Sequence, residues 1–406
     1  MSVKTVGVVF GGLSPEHEVS VITSLQAAAA MDRAKYHPVP VYIAKDGVWY
    51  TGEGLLEIEG YSDLNSLVAA AARIEVLPGG SGRLRVGEVK RGALFSSGRR
   101  EWTFDVMFLG LHGGAGENGG MQGFCELMGV PYTGSGILGS ALAMDKIRSK
   151  DFCGRKGIPV VESMQIREQT WAGDEERWLD RICSWASFPL IVKPVGLGSS
   201  IGIRRTEDRD QLDGAIEEAF RYDPAILVER VVSPLREINA AVLGDEDHAR
   251  ASVLEEPISG IEMLSFQDKY IRGGEGSKGV TPASKDPGSA GGMASQNRLI
   301  PAPLTEDQTE YIQKLAVRIF QILGCAGVAR IDFLMNADTG DVFFNEINTI
   351  PGSLSFYLWE PADLAFQDLV HELIEIALRR YHDTADRVRS YDVNLLEEHS
   401  ARGLKA

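Results

Sequence analysis

The apolar positions fall into short unbroken runs set between stretches of mixed character. Thr5 to Phe10 (TVGVVF) is such a run, stopped by Gly11-Gly12, and it predicts a buried strand; Glu18 to Met31 then reads as a helix. Val39–Ile43 and Asp105–Leu109 predict two further strands, the latter running into the turn-rich LHGGAGENGG. Alternation of strand and helix predicts an open parallel α/β sheet with crossover helices. Ligands on such sheets sit at the C-terminal ends of the strands. The glycine turns after Phe10 and Leu111 both lie at that edge.

The pattern weakens between residues 50 and 105, which read as an insertion of mixed polarity with PGGSG at 78–82 and no predicted chemistry. Beyond it, Met144 to Gly157 reads as a helix and turn, and Leu190–Pro194 as a strand entering the glycine loop VGLGSSIGI. Helix Gln211–Arg221 and strands Ala225–Glu229 and Ile238–Leu243 follow. Residues 273–292 hold seven glycines and few apolar residues; a loop of that length inside a folded chain is expected to be a lid. After helix Glu306–Leu323 comes a hairpin, Ala329–Met335 with Val342–Asn348, then a last helix, Phe366–Tyr381, and a tail at 383–406. The expected division is 1–135, an N-terminal α/β domain; 136–228, a central part with the glycine loop; and 229–382, a C-terminal part with lid and hairpin.

Composition narrows the function. The chain has 406 residues, 41 Lys plus Arg against 57 Asp plus Glu, and a formal charge of −16. That balance argues against nucleic acid and against an anionic membrane as partners. No run reaches the length of a membrane span, and the first residues do not resemble a signal peptide. Four scattered cysteines without a CxxC pair indicate neither a zinc site nor a disulfide framework. A reduced, cytoplasmic protein is expected.

The hairpin carries the most chemistry. Side chains alternate along a strand, so Glu346 and Asn348 share a face. With Asp332 opposite Glu346, Arg330 falls opposite Asn348, and all four lie on one face while Ile331, Phe333 and Ile347 turn to a core. Two carboxylates and an amide form a hard, all-oxygen set suited to Mg²⁺ or Mn²⁺. A plain cross-strand salt bridge from Arg330 to Asp332 or Glu346 accounts for the same spacing. In KPVGLGSSIGI (193–203) a lysine heads a glycine loop with two hydroxyls, a phosphate-binding composition that a simple hairpin turn also explains. Glu16-His17-Glu18 at the first helix suits the helix dipole, His112 is as well explained by a structural hydrogen bond, and Asp268-Lys269-Tyr270 by a solvated loop edge.

Five segments taken together carry a resemblance: GGLSPEHEVS (11–20), LHGGAGENGGMQG (111–123) with PYTGSG (131–136), AMDKIRSK (143–150), KPVGLGSSIGI (193–203) and ARIDFLM…NEINTIPG (329–352). In this order they resemble the D-alanine–D-alanine ligase family, three-domain enzymes of the ATP-grasp fold, α/β at the N-terminus and α+β in the ATP-grasp part. The resemblance implies ATP-dependent joining of two D-alanines through an acyl phosphate, for peptidoglycan precursor synthesis, in a homodimer. It implies that Lys146 and Lys193 contact ATP phosphates, with Ser199 and Ser200 in the loop that closes over them. It further implies that Glu229 and the backbone of Val232 bind adenine, and that Glu237 holds the ribose. Asp332 and Glu346 would hold one Mg²⁺ or Mn²⁺, Glu346 and Asn348 a second. Glu18 would take the ammonium of the first D-alanine and form, with Ser199 and Tyr270, the trio that closes the lid. Lys269 would add charge beside that trio, and His112 would lie near the first substrate. Arg330 and the Gly352 N–H would be the oxyanion donors.

The sequence also departs from the family pattern. Where relatives place a serine for the second carboxylate, this chain has Tyr357, with Ser355 two residues away, so either could serve. Leu197 stands where some relatives have glutamate. Tyr270 agrees with a dipeptide-forming lid, and no histidine lies between 249 and 360. The alternatives are ligation of D-alanine to another D-amino acid or a D-hydroxy acid and, more remotely, a non-catalytic nucleotide-sensing module.

Overall fold

The computed structural model describes residues 2–77, 82–89, 99–196, 202–258, 298–385 and 387. The first sheet starts with β1 (Lys4–Gly11) and β2 (Tyr36–Ile43), paired in parallel. β3 (Trp49–Thr51), β4 (Ala72–Val76), β5 (Leu84–Glu88) and β6 (Glu101–Phe104) then extend it antiparallel, and β7 (Val106–Leu109) returns parallel to β1 on its other side. The order is β6-β5-β4-β3-β2-β1-β7. The expected parallel sheet is therefore only its β2-β1-β7 part. The insertion is not an appendage: it supplies the antiparallel half. Its strands bury one face, Ile74, Leu84, Val86 and Phe104, while Arg85–Glu101 and Arg99–Glu75 pair on the other. One-sided burial in short charged strands gives a faint alternation.

Helix His17–Ala30 begins close to where Gly11-Gly12 end β1. Gly11 has φ +89°, and a Cβ there would lie 2.3 Å from the Ile43 carbonyl oxygen, so only glycine fits. Ser20 in the first turns of the helix accepts the Gly11 N–H at 2.9 Å and donates to the Gly110 carbonyl at 2.7 Å. One hydroxyl thus ties together the C-terminal ends of β1 and β7.

Two antiparallel sheets follow. β8 (Ser163–Arg167), β9 (Leu190–Pro194), β10 (Arg204–Thr206) and β11 (Ala225–Arg230) pair in the order β10-β9-β11-β8. Helices Glu175–Trp185 and Arg209–Phe220 bury Leu179, Ile182, Leu212 and Ile216 against Ile166, Val192, Ile226 and Val228. The third sheet contains β12 (Leu235–Gly244), β13 (Ala249–Pro257), β14 (Arg298–Leu299), β15 (Gly327–Asn336) and β16 (Val342–Asn348), ordered β14-β13-β12-β15-β16. Helix Glu306–Ile322, opened by a Thr305/Gln308 capping box, packs on it through Ile312, Leu315, Ile319 and Phe320. The last helix, Phe366–Ala385, puts Leu369, Leu373 and Ile374 into the same apolar cluster as Val8 and Phe108 of the first sheet. Among the described residues no helix is long and apolar enough to cross a membrane.

Candidate active site

The hairpin register is the one the alternation demands: Arg330 lies opposite Asn348 and Asp332 opposite Glu346, with Ile331, Phe333 and Ile347 buried. A bulge follows Asp332, so that Phe333 faces Phe344 and Asn345 is the extra residue. Sequence reading assigned nothing to Asn345, yet its Oδ1 accepts from Lys193 Nζ at 3.1 Å. Lys146 starts helix Lys146–Arg155 and places its Nζ 3.1 Å from Glu346 Oε2. Both lysines are buried. Two chain segments far apart in sequence therefore deliver their ammonium groups to adjacent residues of β16.

Arg330 donates from Nε and Nη2 to the two oxygens of Asp332, each at 2.7 Å, and Asn348 Nδ2 donates to Asp332 Oδ2 at 3.2 Å. The salt bridge that the spacing also allowed thus forms, to Asp332. Burial opposes charge on the Arg330 guanidinium, but Asp332 outweighs it and keeps the group cationic. Among the described residues no three His, Cys, Asp or Glu side chains come together as a metal-binding group. What is present is two carboxylates and an amide on one face, each carboxylate balanced by a cation of the chain. That hard donor set fits Mg²⁺ or Mn²⁺.

Glu229, at the end of β11, is buried with Lys193 Nζ 2.7 Å from Oε2 and Lys150 on Oε1. Burial favours its neutral form, yet the two ammonium groups hold it below the usual carboxylate range. Burial, and then Lys193, press Lys150 downward. Lys150 escaped sequence reading although it lies within the AMDKIRSK motif, because the pairing is set by the crossing of two elements. Glu229→Leu is expected to destabilise the protein by about 3–5 kcal/mol, since two buried ammonium groups lose their counter-charge. The urea midpoint measures this, and an unchanged midpoint would mean that the pair is not buried in solution. Val232 lies half-buried between β11 and β12, and Glu237 lies on β12 opposite Leu334.

At the first sheet, Glu18 is exposed and bridges to Lys45. Its partial burial raises the carboxyl, but the Lys45 hydrogen bond and charge bring it lower overall. His112 is buried with Nε2 3.1 Å from Thr23 Oγ1, and burial, with Arg330 nearby, pulls it down to about 4, so it is neutral at pH 7. Gly352 opens the 3₁₀ segment Gly352–Leu358, in which Ser353, Leu354 and Ser355 all have φ between +51° and +53°. The Ser355 hydroxyl is buried with no hydrogen-bond partner among the described residues. Tyr357 instead donates to Glu255 Oε1 at 3.4 Å and lies 4.2 Å beneath the Arg298 guanidinium. Arg298 and Asn239 also bind Glu255, at 2.5 and 3.0 Å. Glu255, Arg298 and Asn239 had no signal in sequence beyond their types. Ser199, Ser200, Leu197, Lys269, Tyr270 and the glycine-rich stretch 273–292 lie outside the described residues.

Comparison with known proteins bears on this arrangement. Residues 5–135 match the family model described as D-ala D-ala ligase N-terminus, and residues 152–291 and 291–375 match D-ala D-ala ligase C-terminus. The chain belongs to the D-alanine–D-alanine ligase family. It is 35% identical to the D-alanine–D-alanine ligase of Thermosipho melanesiensis, covering 97% of this chain and 98% of that one. It is 37% identical to the ligase of Caldicellulosiruptor bescii, over 92% and 95%. Among solved structures it resembles the D-alanine–D-alanine ligase of Coxiella burnetii, with TM-score 0.75, 26% identity and 99% of both chains covered. It also resembles the VanG D-Ala:D-Ser ligase of Enterococcus faecalis, with TM-score 0.74, 28% identity and coverage of 93% and 100%. The three sheets described above are thus the ATP-grasp architecture of this ligase family.

Proposed function

We propose that the protein joins two D-alanines to D-alanyl-D-alanine with consumption of ATP to ADP and phosphate, for peptidoglycan precursor synthesis. The observation that supports this best is the convergence of Lys146 and Lys193 on β16, beside Asp332, Glu346 and Asn348 and within one face of Arg330. A carboxylate does not yield its oxygen to an amine at neutral pH unless it is first activated. In this reading the γ-phosphoryl group passes to the carboxylate of the first D-alanine, giving an acyl phosphate and ADP. The amine of the second D-alanine then attacks the carbonyl carbon, phosphate leaves with the C–O bonding pair, and the amine proton is lost to solvent or base. Such transfer depends on positioning and charge neutralisation.

The roles follow from the residues. Lys146 turns from Glu346, and Lys193 from Asn345 and Glu229, to meet the ATP phosphates. Asp332, Glu346 and Asn348 would hold two Mg²⁺ or Mn²⁺, which would supply charge neutralisation at the phosphates. Glu229, Val232 and Glu237 line the nucleoside end, and Ser199 and Ser200 belong to the loop over the phosphates. Glu18 receives the first ammonium, with His112 as a neutral neighbour, and Arg330 with the Gly352 N–H faces the oxyanion. For the second carboxylate the Ser355 hydroxyl, without a partner among the described residues, supports Ser355 over Tyr357, whose hydroxyl is already donated to Glu255. The division at 1–135, 136–228 and 229–382, a homodimer and a cytoplasmic setting belong to the same reading. The four cysteines are free thiols, as suits a reducing compartment.

D-alanine-dependent ADP release by the purified protein tests this reading. Tyr270→Phe is expected to loosen closure of the trio with Glu18 and Ser199, raising ADP formed per dipeptide several-fold as water reaches the acyl phosphate. An unchanged ratio would remove Tyr270 from that role. A D-serine acceptor is the second reading, favoured by the likeness to the VanG D-Ala:D-Ser ligase together with the rebuilt 353–358 stretch.

A further inference from the structure

The loop that carries Gly352 is pinned on both sides by the N-terminal sheet's own edge. Before Gly352, the Ile350 N–H donates to Glu117 Oε1 at 3.2 Å, and the Thr349 hydroxyl approaches the same oxygen at 3.5 Å. After it, the Ser353 N–H donates to Thr23 Oγ1 at 3.0 Å. Glu117 lies in the turn that follows β7, and Thr23, on helix His17–Ala30, packs against that turn. Glu117 Oε2 accepts the Gly113 N–H at 3.0 Å, and Thr23 Oγ1 lies 3.1 Å from His112 Nε2. Thr23 and Glu117 are themselves buried, at 1% and 9% exposure. No role was assigned to either above.

The backbone that runs on from the second pin does not hold its shape by itself. Ser353, Leu354 and Ser355 occupy the left-handed region in succession, which L-residues avoid by roughly 1–2 kcal/mol each. Such a run persists only where its surroundings over-determine it. A buried carboxylate is an unusual choice for a purely structural pin. Burial pushes Glu117 up to about 7, against the pull of its backbone donors, and Glu16 pushes the same way. An aliphatic side chain would fill the space, whereas only an acceptor with two oxygens joins the Gly113 and Ile350 amides.

We propose that Thr23 and Glu117 are positioning residues that fix the 349–353 backbone so that the Gly352 N–H faces the reacting carbonyl. They act through the Ser353 and Ile350 amides and touch neither substrate nor nucleotide. The inference rests on the oxyanion role given to Gly352 in the proposed ligase reaction. It links occupancy of the first-substrate side, at His112 and Gly113, to the geometry of the donor.

Steady-state kinetics of Thr23→Val, Thr23→Ser and Glu117→Gln, with ADP and dipeptide measured separately, tests it. Thr23→Val keeps the volume and removes the acceptor, whereas Thr23→Ser keeps it. The expected result is a fall in kcat of about 10–100-fold for Thr23→Val and Glu117→Gln, part of the 10²–10³ that loss of a donor brings. The KM for ATP should stay within two-fold, ADP formed per dipeptide should rise, and Thr23→Ser should recover most of the rate. In the double variant the losses should be less than multiplicative, because both pins act on one loop. Unchanged kcat in either single variant would overturn the proposal, as would equal losses in Thr23→Ser and Thr23→Val, or a fully multiplicative double loss. Wild-type protein that makes no dipeptide would instead overturn the ligase reading itself, so the two failures are distinguishable.

Discussion

Glu346→Gln is expected to lower dipeptide formation by roughly a thousandfold, the size of effect given by several kcal/mol of lost charge stabilisation at tenfold per 1.4 kcal/mol. Glutamine keeps the length and an acceptor oxygen but removes the charge that both proposed metal positions share. It also replaces the charged partner 3.1 Å from Lys146 on β16 with a neutral acceptor. The loss should show in kcat at saturating ATP and should not be recovered by raising Mg²⁺ or Mn²⁺. Normal turnover of the variant at saturating Mg²⁺ would remove Glu346 from the metal site.

Arg330→Met is expected to lower kcat by about 10²–10³, the typical effect of deleting one oxyanion donor. It has a second consequence, because Asp332 keeps its charge but loses two 2.7 Å hydrogen bonds. With no guanidinium on Asp332, divalent metal should bind the variant more readily in the absence of ATP, while catalysis remains poor. Titration with Mn²⁺ followed by its paramagnetic effect on water relaxation separates the two effects. A kcat within a few-fold of wild type would show that Arg330 serves only as the ion-pair partner of Asp332 on the same strand.

How much of this was legible in sequence depends on the range of the interaction. The hairpin face was legible because strand alternation is strictly local, so Asp332 opposite Glu346 fixes Arg330 opposite Asn348. The bulge that frees Asn345 was not, since an extra residue leaves no mark on the alternation before it. The antiparallel extension β3–β6 was missed because its buried positions, Ile74, Leu84, Val86 and Phe104, are spaced among arginines and glutamates. Glu117 stood in a quoted motif but read as a turn residue. Its meaning comes from Ile350, more than two hundred positions away in the chain. The Lys150–Glu229–Lys193 cluster is of the same kind, with each member visible and only the folded chain showing that they meet. Motif spacing therefore located the family and the reacting edge, and long-range contacts supplied the supports.

In the proposed reaction ATP is spent to join two D-alanines. The direct measurement is the product mass from purified protein with ATP and Mg²⁺, first with D-alanine alone and then with D-alanine paired with D-serine or D-lactate. The expected product is D-alanyl-D-alanine from D-alanine alone, with one ADP formed per dipeptide. ADP release without dipeptide, or a mixed product formed only when D-serine or D-lactate is present, would contradict it.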